Sequence, residues 1–508
     1  MSLLTILILG LLALAALVAL LPRHLAKPLA SVGALGSFVA SALLFQGPSS
    51  SGGFYENSLQ KSAWFPVLGV SYQVGVDGIG ALLIVLTALL SVIAILTPFK
   101  ISLGKEKLYY GSLLLLEATL VGAFCALDLV LFYVFFEACL IPVWFLVGVF
   151  GGEKASKALM KFFLYTVVGS LVMLSSILWL GIHFKTFDYL AIQEGLVRQP
   201  PLGLLGVWLF LGFAVAFAVK TPLFPFHTWQ AETYAACPTA GVVLVAGAMA
   251  KLGTYGLWRF CIGLFPDAAH QCQPLLIGLA VTGILYGALV AAMQRDVKRL
   301  LAYSSLSHLG YIVLGLFSTS PSGTAGALLQ MINHGITVGG LFLVVGLIEE
   351  QTGTLKIRSL GGLWERAPLL TRIFLILTLA SVGLPLTNGF VGEFMILLGT
   401  FQNFPTAAIL ATTGVIWSAV YMLWMFQRVV YGPERTEHTL TDLSGTPRLM
   451  LSLLVILVFV FGVFPKPFLE IVSPGTAFTA PVESNPNATG APGRGGQAPG
   501  AGAQGRGN

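Results

Sequence analysis

The stretch FAVKTPLFPFHTWQAE (Phe217–Glu232) ends an apolar run with a lysine, two prolines and a histidine. Pro222 and Pro225 lack a backbone N–H and crowd the preceding turn, so a helix arriving at Lys220 must break there. In lipid the freed carbonyls need partners, so such a break persists only when buried in protein or facing a hydrated cavity. The solvent around this stretch therefore decides its reading. Either Lys220 snorkels to the interface from a helix end, or the break is a device for handling charge inside a bilayer.

Composition identifies the solvent. Of 508 residues, 56% are hydrophobic and 9% charged, against roughly 25% charged in soluble globular proteins, and the mean hydropathy is +0.88. Apolar runs of about 20 residues, the length that crosses a bilayer as a helix, recur from end to end. Ten-residue alternating segments of a membrane barrel are missing. The pattern predicts an all-α polytopic membrane protein of about fourteen transmembrane helices. They fall near 2–21, 28–46, 78–98, 109–126, 128–150, 158–182, 203–226, 238–262, 272–294, 300–318, 323–348, 370–398, 403–427 and 447–465. The opening MSLLTILILGLLALAALVALL lacks a basic segment and a small-residue cleavage site, so it reads as a retained first helix.

Basic residues set the orientation. Loops after odd-numbered spans carry most of them, including Arg23, Lys105, Lys154, Lys298, Arg358 and Arg435; loops after even-numbered spans carry Lys61, Lys185 and Arg198. The positive-inside rule then places both termini on the non-cytoplasmic side, as in a bacterial inner (plasma) membrane. The net charge of +6 reflects this topology and gives no reason to invoke nucleic acid. Cys125, Cys139, Cys237, Cys261 and Cys272 are scattered without a CxxC or metal-ligand spacing. No GxGxxG follows a strand and no P-loop is present. Nothing here holds a nucleotide or metal or carries electrons alone. The tail 474–508 is Gly/Ala/Pro-rich and is expected to be disordered, its Asn487-Ala488-Thr489 being a chance sequon.

Ionisable groups at membrane depth cost at least ~2.5–3.5 kcal/mol each and mark ion paths by default. Glu137 (LFYVFFEACLIPVWF) lies about ten residues into its span, and Lys251 (VAGAMAKLGTYGLWRF) near the middle of its own. Both are too central to snorkel easily. His308 (SSLSHLGY) and His334 (QMINHGIT) fall in consecutive spans, where each reads equally as a satisfied core histidine or a relay group. Glu393 (LASVGLPLTNGFVGEFMILL) follows another proline, and Glu117 (SLLLLEATLVG) reads as a packing hydrogen-bond group. Asp128 and Arg259 fall at span ends and read as interfacial.

Pro385 and Gly389 mark a second break, 163 residues after Pro222, and spans four and nine start about 163 residues apart. That spacing predicts two five-helix units, 109–262 and 272–427, each with a broken fourth helix. These would be the discontinuous helices 7 and 12. An odd number of spans per unit makes them an inverted pair, the pattern of transporters with ion sites at broken helices. Residues 1–108 form an N-terminal three-helix region and 428–473 the last helix. An opposite charge holds a lysine protonated and desolvation releases its proton, so a Glu137–Lys220 pair would act as a switch. Lys251 and the histidines would relay, and Glu393 would be the terminal site.

ALDLVLFYVFFEACLIPVW, AVKTPLFPFHTW, PTAGVVLVAGAMAKLGTYGLWRF, RDVKRLLAYSSLSHLGYIVLG and GLPLTNGFVGEFMILLG resemble the antiporter-like subunits of respiratory complex I, the proton-pumping NADH:quinone oxidoreductase. They also resemble Mrp-type multisubunit cation/proton antiporters. The likeness runs from about 75 to 465. It is greatest for the subunit M (chain 4) branch, whose broken twelfth helix carries a glutamate, matched here by Glu393, where its sisters carry lysine. The resemblance implies two inverted repeats with broken helices 7 and 12. It also implies proton-transfer roles for Glu137, Lys220, Lys251, His308, His334 and Glu393, none of them a catalytic or metal site. NADH, FMN, Fe–S clusters and quinone would sit on other subunits, and partners would be other membrane-arm subunits, sister antiporter-like ones included. One stretch departs from the family pattern. QAETYAACPTAG has Tyr234 in place of a histidine and Ala236 in place of an acid, so a proton-uptake role does not carry over to this loop. Three functions compete: a redox-driven proton-translocating subunit, a cation/proton antiporter subunit, and a non-pumping scaffold.

Overall fold

The computed structural model describes residues 1–46, 53–152, 155–433 and 440–476. Lys154 and Arg435 of the orientation argument, and the tail from residue 477 with its sequon, lie outside them. The chain is a helical polytopic protein. Among the described residues, eleven helices are long and apolar enough to cross a membrane. Three expected spans fall outside this set for physical reasons. The helix Leu204–Lys220 has only 17 residues, because Pro222 follows. The 370–398 span is split into Pro368–Val382 and Asn388–Asn403. Val297–Leu316 is a continuous 20-residue helix whose SSLSH segment dilutes its hydropathy.

The all-α expectation needs one correction. Gln60–Phe65 and Val70–Val74 form an antiparallel hairpin, Gln60 opposite Val74. It lies at the membrane end of Gly78–Leu96, and its backbone also pairs with the 125–127 link through Gly75 N to Cys125 O at 2.9 Å and Leu127 N to Gln73 O at 2.9 Å. A hydropathy window averages away the alternation of a short strand, so span reading passes over it. Two further helices, Tyr189–Arg198 and Lys466–Thr476, lie in segments read as loop and tail.

The layers follow from which helices are apolar all round. The most apolar windows of Thr239–Ile262 and Pro321–Thr352 are completely buried within the protein, whereas those of Leu3–Leu20 and Gly445–Val463 are mostly not. The outer helices present Leu, Ile, Phe and Trp side chains, as lipid or neighbouring subunits require. The two central helices carry Lys251 and His334.

Both predicted breaks are present, and their backbone groups are accounted for. Past Lys220 the chain turns irregularly before the short helix Gln230–Ala236. The Val219 carbonyl, which would otherwise bond a following amide, accepts from the Trp229 indole N–H at 3.0 Å. At the second break Gly383 takes a left-handed φ of 82°, which glycine adopts at no steric cost. Gly383 N then donates to Ala380 O, and Leu384 N to Leu379 O at 3.0 Å, closing the helix with the double bond of a Schellman cap.

Candidate functional site

The site starts at the second break. Because the helix restarts at Asn388, that side chain is free to strap the new helix to Pro321–Thr352. Asn388 Nδ2 donates to Asn333 O at 3.0 Å, and Asn333 Nδ2 returns a bond to Asn388 O at 2.8 Å. This fixes Glu393, one turn on, against the same helix. A Cβ at Gly392 would lie 2.2 Å from Gln330 Oε1; only glycine lets Gln330 come this close. Gln330 Nε2 donates to Glu393 Oε1 at 3.1 Å, and His308 Nδ1 stands 2.6 Å from that same oxygen. Ser381 Oγ lies 3.4 Å from His308 Nε2. The His308 and His334 rings are 5.8 Å apart. Lys251 Nζ is 2.7 Å from His334 Nδ1 and donates to Ala246 O at 2.6 Å. With Lys251 as donor, His334 carries its proton on Nε2, which has no partner among the described residues.

Lys251, His334, His308 and Glu393 thus form a buried row across four helices, none of them more than 6% exposed. A cavity of about 20 Å³ lies among His308, His334, Gln330, Asn333, Ser381 and Glu393, room for a single water. The Lys251 helix is π-helical over Val245–Met249 and Leu257–Ile262, on either side of the turn that holds Lys251. Such segments often sit at functional places.

Lys220 and Glu137 form a second group. Lys220 is fully buried, so it does not snorkel. Its Nζ donates to Phe136 O at 3.4 Å and lies 4.6 Å from the centre of the Phe136 ring. Glu137 is half-buried, its Oε1 has no hydrogen-bond partner, and no ion pair joins it to Lys220 among the described residues. The two groups meet through a helix contact: a Cβ at Gly253 would lie 2.2 Å from Thr221 Oγ1 and 2.5 Å from Thr221 N. The break after Lys220 therefore packs directly on the Lys251 helix, with the buried Thr221 hydroxyl, which has no partner among the described residues, between them.

Asp128 and Arg259 lie near helix ends, as expected, but both are buried within the protein. Asp128 is fully buried; it caps Leu129–Ala138 by accepting from Val130 N and Leu131 N, and also accepts from Ser71 N at 2.8 Å. The hairpin, unseen in the hydropathy, is what covers it. Arg259 is 3% exposed and pairs with Asp77 at 2.6 Å, with the Phe54 ring 5.0 Å from its guanidinium. Gln330, Asn333, Asn388 and Ser381 were missed. Their signal was present as polar side chains inside apolar runs, but charge drew the reading instead. Glu117 accepts from Ser37 Oγ across two helices, in keeping with a packing role.

At one end of the Lys251 helix a cavity of about 490 Å³ is lined by Lys100, Tyr109, Cys237, Thr239, Lys298 and Glu349, among others. Lys298 donates to Cys237 O at 2.8 Å and stands 3.5 Å from Glu349. The loop that departs from the family pattern abuts this cavity. In it Tyr234 and Gln230 are buried, each with a polar atom that has no partner among the described residues, and Glu232 pairs with Lys161 at 3.5 Å.

The family described as NADH:quinone oxidoreductase/Mrp antiporter, TM, matches residues 126–418, a range that includes all six of these ionisable residues. The chain belongs to this family. NADH-quinone oxidoreductase subunit M of Rhodobacter capsulatus is 38% identical over 465 residues, covering 89% of this chain and 90% of that one. A chain of respiratory complex I from Thermus thermophilus with bound NADH superposes with a TM-score of 0.85 at 37% identity, covering 94% of this chain and 99% of that one. The Mrp complex from Dietzia gives a TM-score of 0.81 at 23% identity, over 93% of this chain and 52% of that one, a likeness of fold. Within the NADH:quinone oxidoreductase/Mrp antiporter family, the likeness to subunit M relatives spans nearly the full chain. The lysines and glutamates were thus found from their cost in lipid, and the family places them in its matched region.

Proposed function

We propose that the chain is the proton-translocating membrane-arm subunit of an NADH:quinone oxidoreductase. Redox chemistry on other subunits, which hold the NADH, FMN, Fe–S and quinone sites, drives a conformational or electrostatic change, and this chain converts it to proton transfer without a redox step of its own. The observation that carries the reading is the buried contact series Lys251–His334–His308–Glu393. Lysine, imidazole and carboxylate each take up and hand on protons, and the 20 Å³ cavity that both rings line has room for one water. Glu137 and Lys220 form the input switch: as they approach, Lys220 is held protonated, and as they part, desolvation drives its proton toward Lys251.

The finer architecture belongs to the same proposal: fourteen spans, with units 109–262 and 272–427 as inverted repeats. Support comes from two backbone bridges of identical spacing, one from Asp128 to Asp188 and one from Asp296 to Lys356, each 60 residues. Asp128 N-caps the helix that carries Glu137 and Asp296 the helix that carries His308, and the basic-residue pattern puts them on opposite membrane faces. That pattern also sets both termini on the non-cytoplasmic side. Partners are other membrane-arm subunits, including sister antiporter-like ones.

The Mrp fold likeness keeps a second reading alive, a subunit of a cation/proton antiporter driven by an ion gradient. Mass spectrometry of co-purifying subunits separates the two: NADH-oxidising, iron–sulfur partners support the first, and a set of small antiporter subunits supports the second. Pumping stoichiometry in a Glu137→Gln complex tests translocation itself. A lowered value is expected, whereas an unchanged value assigns the chain a scaffold role.

A further inference from the structure

The Lys251 helix opens at one end onto the 490 Å³ cavity beside Cys237 and Thr239. Its other end is closed by a cluster that the row does not use. Arg259 lies eight residues beyond Lys251, about 12 Å along a helix. Its guanidinium pairs with Asp77 Oδ2 at 2.6 Å, and the other Asp77 oxygen accepts from Gly80 N at 3.0 Å. Arg259 lies 4.5 Å from the Trp258 ring centre and 5.0 Å from that of Phe54. From Phe136, whose ring faces Lys220, buried rings continue through Phe132, 4.3 Å from Phe260, to Tyr189, 5.6 Å from Phe260. These apolar rings stand between the lysines and that face.

The hydroxyls in the layer point the wrong way for proton hopping. Thr254 Oγ1 donates to Lys251 O, Tyr255 OH to Phe124 O at 3.0 Å, and Tyr189 OH to Arg259 O at 3.1 Å. Each hydroxyl proton ends on a backbone carbonyl, which does not pass it on. Arg259 Nε occupies the acceptor side of Tyr255 OH at 3.2 Å. A guanidinium only donates and does not deprotonate in proteins, so a chain of hops stops at it.

We propose that the Arg259–Asp77 pair and its aromatic layer form a proton seal, closing this end of the Lys251 helix so that protons on Lys251 leave only along His334, His308 and Glu393. The inference rests on the proton-transfer reading of the row and adds the residue that prevents a short circuit across the first helix unit.

The test uses the complete complex in sealed vesicles, without turnover, with an imposed pH gradient followed by an entrapped dye. Arg259→Gln, whose amide both accepts and donates, collapses the gradient several-fold faster than the unaltered complex, while uncoupled NADH:quinone turnover is kept. Removing one charge alone strands Asp77, so the double variant Asp77→Asn/Arg259→Gln, neutral overall, is measured beside it and leaks equally. Asp77→Asn alone loosens the pair but keeps the guanidinium, and holds the gradient. Tight vesicles from Arg259→Gln and the double variant overturn the seal. A leak from Asp77→Asn as large as from Arg259→Gln assigns closure to packing and overturns the part given to the guanidinium. Lys251→Met in the same vesicles distinguishes failure of the underlying reading: normal pumping there removes the row, whatever the leak.

Discussion

His308 Nδ1 and Glu393 Oε1 stand 2.6 Å apart, both buried, across 85 residues of sequence. The contact joins a continuous helix to the helix that restarts after the second break. Without that break Glu393 would follow the Pro368–Val382 axis, and Asn388 would be an ordinary helical residue rather than a strap.

Glu393→Gln retains the size and a hydrogen bond to His308 but cannot take up a proton. Loss of a positioned acid–base group costs about 100-fold or more, so proton transfer through this subunit falls by that order and the protons moved per NADH in inside-out vesicles fall with it. Glu393→Asp, shorter by one methylene, retains part of it. Acidification followed by a quenched dye checks both.

Asn388→Ala removes the bond from its side-chain amide to Asn333 O and the one it accepts from Thr337 Oγ1, leaving those buried groups without partners at about 1–3 kcal/mol each. Assembled complex yield and thermal midpoint fall. Because Asn388 touches none of the row residues, the expected loss is of stability first.

Gly253→Val places branched carbons where the Thr221 backbone already stands. Overpacking of this kind costs about 1–3 kcal/mol, and here it also pries apart the contact between the Lys220 break and the Lys251 helix. The predicted signature is a lowered thermal midpoint together with slowed translocation, against little change for a substitution at Gly10, where a Cβ meets nothing within 4 Å.

Asp442, in the link outside the membrane before Gly445–Val463, accepts from Leu369 N at 2.9 Å and Leu370 N at 3.0 Å, the first turn of the helix that leads to the second break. Burial works to raise its pKa, but these amides, that of Leu443, and Arg372 outweigh it and hold the carboxyl below its ordinary value. A folded pKa below the unfolded one means stabilisation that is complete above the ordinary value of about 3.9 and is lost as pH falls through the lowered one. The thermal midpoint of the purified complex therefore drops in that acid range, and Asp442→Asn flattens this part of the dependence. The group is partly exposed, so the effect is small.

Much of this was legible in residue types. A lysine inside an apolar run is costly, so Lys220 and Lys251 announce themselves, and Pro222 and Pro385 locate the breaks because proline lacks a donor. What stayed hidden depends on distant pairing. Asp77 and Arg259 are 182 positions apart, and nothing local to either shows that a hairpin and a C-terminal helix cover that end of the bundle. The π-helical turns beside Lys251 leave no mark in composition. Gln330 and Asn388 were visible as polar residues in apolar surroundings, but only the packing against Gly392 and Asn333 gives them a task.

The central claim is that protons cross this protein along the row through Lys251. The most direct measurement is proton translocation by the assembled complex carrying Lys251→Met in sealed membrane vesicles, with electron transfer driven by NADH. Methionine fills a similar volume but binds no proton, so translocation through this subunit should cease and the protons moved per NADH should fall. Translocation at the unaltered stoichiometry would contradict the account.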